Sequence, residues 1–324
     1  MATKIIFRSF TRMSDKISLL VLNTHSSEHQ AALSELYDLT YAPTEGERAA
    51  AIATHGAKFR AVLTIGVLGL TAQEIAAMPA LELICCMGAG YERVDLDAAR
   101  ARGIAVANGR GTNDNCVADH AFGLVIAAMR NFRQLDRLCR EGVWRLAIPQ
   151  PPNVSGKRIG ILGLGTIGEK IARRAAAFDM PIGYHNRSPK AGIAYRYFAS
   201  LEGLAQWCDV LVCAAPGGEA TRHLVNAQVL DALGPQGFLV NIGRGSVVDT
   251  LALATALRDG RIAGAGLDVY ESEPARPETL IGLDNVILTP HLAGWSPEAT
   301  QASFDRFLEN VQCHFSGRGV VSPV

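Results

Sequence analysis

The chain has no net charge, no long apolar run and no paired-cysteine spacing, and each of these absences excludes something. Lys plus Arg and Asp plus Glu both number 31 in 324 residues, which removes the broad basic footprint of a nucleic-acid binder. No stretch approaches the roughly 18 uninterrupted apolar residues of a membrane span. The cysteines (Cys85, Cys86, Cys116, Cys139, Cys208, Cys213 and Cys313) are odd in number and form no C-x-x-C pair. None has a Cys/His spacing suited to zinc, so no metal site is expected. They read as reduced thiols of a cytoplasmic protein, most of them small core residues. Charged residues are few (19%) and apolar ones plentiful (48%), which excludes disorder. At this length two domains are expected, with core enough to fold without disulfides or metal. Lys4, Arg8, Arg12 and Lys16 against a single acid, Asp15, weakly resemble an organellar transit peptide. The plainer expectation is a disordered extension ahead of a start at Met13.

Short runs of Val, Ile and Leu alternate with helical patterns, the signature of βαβ units and parallel sheets covered by helices. Strands are expected at Ile17–Leu22, Ala61–Ile65 and Leu81–Cys86, with a helix at Glu28–Leu39. A second series begins with a strand at Arg158–Leu162, a helix at Thr166–Phe178 and a strand at Ile182–His185. Further strands are expected at Val210–Ala214, Phe238–Ile242, Ala263–Val269 and Val286–Thr289. Cys116–Met129 is apolar nearly all round, as a buried helix is. Pro149, Pro151 and Pro152 mark a surface connection after it. The last helical pattern, Pro297–Phe315, is too short to be a domain and is expected to pack back on the first module.

Gly163-Leu-Gly165-Thr166-Ile167-Gly168 is a G-x-G-x-x-G run between a strand and a helix. Gly163 permits the tight turn, Gly165 lets backbone approach a pyrophosphate, and Gly168 allows close helix–strand packing. A packing turn without ligand is the bland alternative. At the end of the next strand, where an acid would accept the adenosine ribose hydroxyls, stand Asn186, Arg187 and Ser188. A guanidinium there can grip a 2′-phosphate, so NADP(H) is expected over NAD(H). Arg244 follows one strand, Asp268, Glu271 and Glu273 end another, and His291 ends a third. In open α/β sheets ligands bind beyond the carboxyl ends of strands, so an Arg, an acid and a His can converge there. Each also has a plain alternative. Arg244 could pair structurally with Asp268, His291 could be a satisfied loop residue, and Glu271 competes with Glu273. His120 reads more naturally as a satisfied buried group.

These motifs together resemble the D-isomer-specific 2-hydroxyacid dehydrogenases. The resemblance rests on Cys86–Asp95, Val117–Ala121, the Gly163–Gly168 turn, Arg244, Glu273 and His291, and covers nearly the whole chain beyond the N-terminal extension. Within that family, His185–Ser188 is similar to the NADPH-dependent glyoxylate/hydroxypyruvate reductases and hydroxyphenylpyruvate reductases. The resemblance implies two Rossmann-like/flavodoxin-like doubly wound parallel-sheet domains with a cleft between them. A discontinuous substrate domain would comprise 13–106 and 295–324, with an NADP-binding Rossmann domain at 107–294. It also implies reduction of a small 2-oxo acid by NADPH. His291 would be the proton donor, Glu273 its orienting acid and Arg244 the carboxylate clamp. Met87, Gly88, Ala89 and Gly90 would meet the substrate, as would Trp295, which could equally be an interface residue. Ala215, Pro216, Thr221, Ile242, Gly243, Asp268 and Gly294 would line the cofactor. A homodimer is expected, through Cys116–Met129 and the following segment. A nicotinamide-binding corepressor or redox sensor, and a phosphite or formate dehydrogenase, remain alternatives on the same fold.

Overall fold

The computed structural model describes residues 16–324, so all but Lys16 of the basic N-terminal stretch lies outside the described residues. The described residues divide into two compact units, one running to residue 112 and taking in 301–324, the other of residues 113–300.

In the first unit, strands β1 (Ser18–Val21), β2 (Asp38–Tyr41), β3 (Ala61–Ile65), β4 (Leu83–Met87) and β5 (Ala105–Asn108) alternate with helices α1 (Ser27–Leu36), α2 (Glu45–His55), α3 (Ala72–Ala76) and α4 (Leu96–Ala101). The sheet is parallel throughout, in the order β2-β1-β3-β4-β5, the doubly wound flavodoxin-like arrangement. Successive residues of β1 serve opposite faces: Leu20 joins the core with Ile52, Ile84 and Cys86, while Leu19 and Val21 join the other with Leu63 and Leu83. That second face is closed by Phe304, Phe307, Leu308 and Val311 of the last helix, Pro297–Phe315. The helix expected over Glu28–Leu39 is corrected: it stops at Leu36, and Asp38–Tyr41 is an edge strand. Tyr37 turns extended (φ −128°, ψ 159°), and the four residues that follow are too few to show a period of their own.

The second unit holds helices α5 (Asp114–Met129) and α6 (Phe132–Arg140) and then a longer alternation. Strands β6 (Ile159–Leu162), β7 (Ile182–His185), β8 (Arg196–Tyr197), β9 (Val210–Cys213), β10 (Phe238–Asn241), β11 (Gly264–Leu267) and β12 (Val286–Leu288) form its sheet. Helices α7 (Thr166–Ala176), α8 (Leu201–Trp207), α9 (Ala227–Leu233) and α10 (Thr250–Arg258) connect them. The parallel order β12-β11-β10-β9-β6-β7-β8 reverses between β6 and β9, the switch point at which such sheets bind nucleotides. Helix α5 is covered within this unit: Val117, Ala121, Phe122 and Val125 pack with Ile161, Val212 and Val240. Among the described residues no helix is long and apolar enough to cross a membrane.

Candidate active site

The glycine turn leaves β6 at the switch point and opens α7. Gly163 has φ +95°, and a Cβ on it would lie 2.8 Å from the Ala215 amide nitrogen, so the turn rests directly on the segment leaving β9. A Cβ on Gly168 would stand 2.4 Å from the Gly163 carbonyl oxygen, which is why helix and turn can close up. Gly165 differs. It caps α7 without any side-chain hydrogen bond, and a Cβ there would project into open space. An uncapped helix start with nothing above its capping glycine is what a dinucleotide pyrophosphate requires, and these residues fit that group. Asn186 Oδ1 accepts from the Leu164 amide at 2.7 Å, tying the end of β7 to the turn. Arg187 and Ser188 are exposed beside it in sequence.

Beyond the strand ends, two of the three expected groups are in direct contact. His291 Nδ1 lies 2.7 Å from Glu273 Oε2, and the Tyr270 amide donates to Glu273 Oε1 at 2.6 Å. The hydrogen bond to Glu273 holds the His291 imidazole above its ordinary value, against the opposing effect of burial. Burial works to raise the Glu273 carboxyl, yet the hydrogen bonds from His291 and the Tyr270 amide hold it below the usual range. The Arg244 guanidinium acts electrostatically on both, lowering the carboxyl and opposing the imidazolium. Its side chain lies over Gly217, where a Cβ would come 2.9 Å from Arg244 Cγ. Gly243 meets Ala215 in the same way (a Cβ 2.5 Å from the Ala215 oxygen), so the Arg244 loop and the glycine turn share one neighbour. Arg, carboxyl and imidazole therefore form one electrostatic group in the nucleotide-fold unit. Glu271, the competing acid, is engaged elsewhere: it accepts from the Thr250 amide at 3.1 Å and lies 2.7 Å from His223 Nε2.

His291 has a left-handed backbone (φ 55°), and what holds it there was not apparent from the sequence. Asp268 is buried, 1% exposed, at the end of β11. Its Oδ1 accepts from Leu292 N at 2.8 Å and Thr289 Oγ1 at 2.6 Å, its Oδ2 from Ala293 N at 2.8 Å, and its carbonyl from His291 N at 2.9 Å. One acid thus fastens the turn on both sides of the imidazole. His120 is half-buried, with Nε2 2.9 Å from Thr289 Oγ1, so it belongs to the same network. The signal for this hub was a lone acid closing an apolar strand, a pattern shared by many solvated strand ends. Tyr270, whose hydroxyl oxygen lies 2.8 Å from the Thr289 carbonyl oxygen and 3.0 Å from that of Leu267, was also missed.

The remaining expected residues are distributed as follows. Ala215, Ile242 and Gly243 are buried at strand ends, Pro216 is exposed, and Thr221 Oγ1 donates to the Pro216 carbonyl at 2.8 Å. A Cβ on Gly294 would strike Asn113 Nδ2 at 2.6 Å. Trp295 is 73% exposed. Met87, Gly88, Ala89 and Gly90 belong to the other unit, at the end of β4. There Gly88 has φ +75°, and Asn108 Nδ2 donates to the Ala89 carbonyl at 2.8 Å. No cluster of metal-ligating side chains occurs among the described residues.

A nucleotide turn at the switch point and an imidazole–carboxylate pair beyond the same sheet define an α/β oxidoreductase of the dinucleotide-binding kind. Comparison with known proteins carries this further. The family model described as D-isomer specific 2-hydroxyacid dehydrogenase, NAD binding domain, matches residues 122–293. The chain is 40% identical to a glyoxylate/hydroxypyruvate reductase of Arabidopsis thaliana, over 96% of this chain and 99% of the relative. It is 39% identical to the hydroxyphenylpyruvate reductase of Plectranthus scutellarioides over the same shares. Among solved structures, an NADPH-dependent glyoxylate/hydroxypyruvate reductase from Sinorhizobium meliloti in complex with NADP and malonate superposes with a TM-score of 0.84 at 36% identity. It covers 96% of this chain and 97% of that one. The chain belongs to the D-isomer-specific 2-hydroxyacid dehydrogenase family.

Proposed function

We propose that this protein reduces a small 2-oxo acid of the glyoxylate or hydroxypyruvate class to the D-2-hydroxy acid, with NADPH preferred over NADH. The observation that carries the reading is the His291–Glu273 pair within the field of Arg244. When bound, the coenzyme supplies the hydride. Gly163, Gly165, Thr166, Ile167 and Gly168 would hold its pyrophosphate, and Asn186, Arg187 and Ser188 its adenosine end. Ala215, Pro216, Thr221, Ile242, Gly243 and Gly294 would line the rest, and Asp268 would act through the turn it fastens.

The chain's own groups divide the remaining work. Arg244 offers a fixed, always-charged fork to the substrate carboxylate and polarises the adjoining carbonyl. Met87, Gly88, Ala89 and Gly90 would serve the same carboxylate through backbone amides, and Trp295 would lie against the substrate's side group. Because Nδ1 faces Glu273, His291 has Nε2 to give a proton to the carbonyl oxygen, and the carboxylate favours the imidazolium that does so. In the oxidative direction the neutral imidazole takes that proton back. We further propose a cytoplasmic homodimer. Helix α6 has no buried residue, and Phe132, Trp144 and Leu146 are exposed at 53%, 73% and 91%, apolar surface that a second copy would cover. The relatives reported above carry enzyme names, and none favours a corepressor.

The test is an absorbance assay with NADPH or NADH against glyoxylate, hydroxypyruvate and hydroxyphenylpyruvate, with formate and phosphite tried as oxidisable substrates. Consumption of NADPH with a 2-oxo acid is expected, and His291→Ala should lose about 10²–10⁴-fold in kcat while still binding NADPH. Near-normal turnover by His291→Ala, or NADH used at least as well as NADPH, would overturn the corresponding part.

A further inference from the structure

The connection after β7 carries a second cation that the reading above leaves unused. Lys190 follows Arg187 and Ser188 closely, but unlike them it is anchored. Its backbone amide donates to the hydroxyl of Tyr184, a fully buried residue of β7, at 2.9 Å. Its ammonium reaches back across the glycine turn. It pairs with the Glu169 carboxylate on the first turn of α7 and stands 3.5 Å from the Leu164 carbonyl oxygen. The amide of that same Leu164 donates to Asn186 Oδ1. Asn186 and Lys190 thus take hold of one residue of the turn, the first through its N–H and the second through its C=O. This puts the ammonium at the rim where the adenosine end of a dinucleotide would lie.

We propose that Lys190 is a further specificity-determining residue for the coenzyme, a cation of the 2′-phosphate subsite held in reserve by Glu169; this rests on the NADPH reading. Without Lys190, the Glu169 carboxylate would be an uncompensated negative charge at that rim and would repel a phosphate. With it, the carboxylate is neutralised and the ammonium is kept extended. The two side chains are 40% and 35% exposed, so the pair contributes little to stability and is easily exchanged. A phosphate dianion carries more charge than a carboxylate and presents three acceptor oxygens, so it competes favourably for the same ammonium. Arg187 would supply the planar fork and Lys190 the mobile point charge, two modes of phosphate contact that do not substitute for each other.

Titration calorimetry of the full chain with 2′,5′-ADP and with 5′-AMP tests this, because these two probes differ only by the 2′-phosphate. Lys190→Gln should weaken 2′,5′-ADP about tenfold and 5′-AMP less than twofold, whereas Lys190→Arg should retain most of the affinity. Glu169→Gln should strengthen 2′,5′-ADP severalfold, a gain that disappears when Lys190→Gln is added. If wild type prefers 2′,5′-ADP and Lys190→Gln weakens both probes equally, or neither, the inference fails while the NADPH reading stands. If wild type binds the two probes alike, both fail together.

Discussion

Asp268→Asn tests the hub behind the catalytic imidazole. Its carboxylate receives two backbone amides and one hydroxyl, at 2.6–2.8 Å, in a site where water cannot substitute. Asparagine is nearly the same size but replaces one oxygen with a donor. The Thr289 hydroxyl can turn to accommodate either arrangement, but an amide hydrogen of Leu292 or Ala293 cannot. One buried N–H is then left facing another donor, at a cost of about 1–3 kcal/mol, and the remaining bonds lose the strength of a charged acceptor, about 1 kcal/mol more. The total is roughly 3 kcal/mol, which for a unit of 150–250 residues lowers Tm by roughly 6–12 °C. Since these amides flank a residue held at φ 55°, His291 should lose its alignment as well. A fall of tenfold or more in kcat is expected, with coenzyme binding little changed. Thermal melting and steady-state kinetics measure both effects. A variant melting within 2 °C of wild type and turning over normally would show that the carboxylate does not hold the turn.

Two further outcomes follow from the geometry. Glu273 raises the His291 pKa, so Glu273→Gln should lower it, and the high-pH fall of the reduction rate should move to lower pH because the proton donor is lost sooner as pH rises. A kcat–pH profile with the same alkaline limb in variant and wild type would refute this. Gly163→Ala places a methyl at φ +95° within 2.8–2.9 Å of the backbone of Ala214 and Ala215, which cannot yield as a flexible side chain would. A loss of at least ~1–3 kcal/mol and of coenzyme binding is expected, read by melting and by quenching of protein fluorescence on adding NADPH. Wild-type behaviour in both would contradict the tightness of the turn.

Most strands that sequence alone revealed lie inside the sheets and are buried on both faces; Val286–Leu288, an edge strand, is the exception. Ala61–Ile65 and Ile182–His185 occur with the expected bounds, and the other expected strands differ by one or two residues at their ends. Those that escaped are short or peripheral. Asp38–Tyr41 and Arg196–Tyr197 lie at sheet edges, where one neighbour is missing and apolar side chains are not required. Ala105–Asn108 also lies at an edge and carries two alanines, which leave little hydrophobic signal. At the site, the glycine turn and the Arg, Glu and His could be read because each follows a strand within a recognisable motif. The ambiguity between Glu271 and Glu273 could not be resolved, since both are acids in one turn. Only the positions of His223 and His291 separate their partners. Asp268 and Lys190 were obscured for another reason: their side-chain contacts run to residues 21 or more positions away, several of them to backbone groups.

The margins of the seven-stranded sheet have a consequence for association. Its outermost strands, Arg196–Tyr197 and Val286–Leu288, are two and three residues long, and the Arg133 guanidinium reaches the Leu283 carbonyl at 2.9 Å beside the second. Neither border offers a ladder long enough to template an added strand, so the sheet's growth ends where the fold does, and runaway fibril-like pairing is blocked at its source.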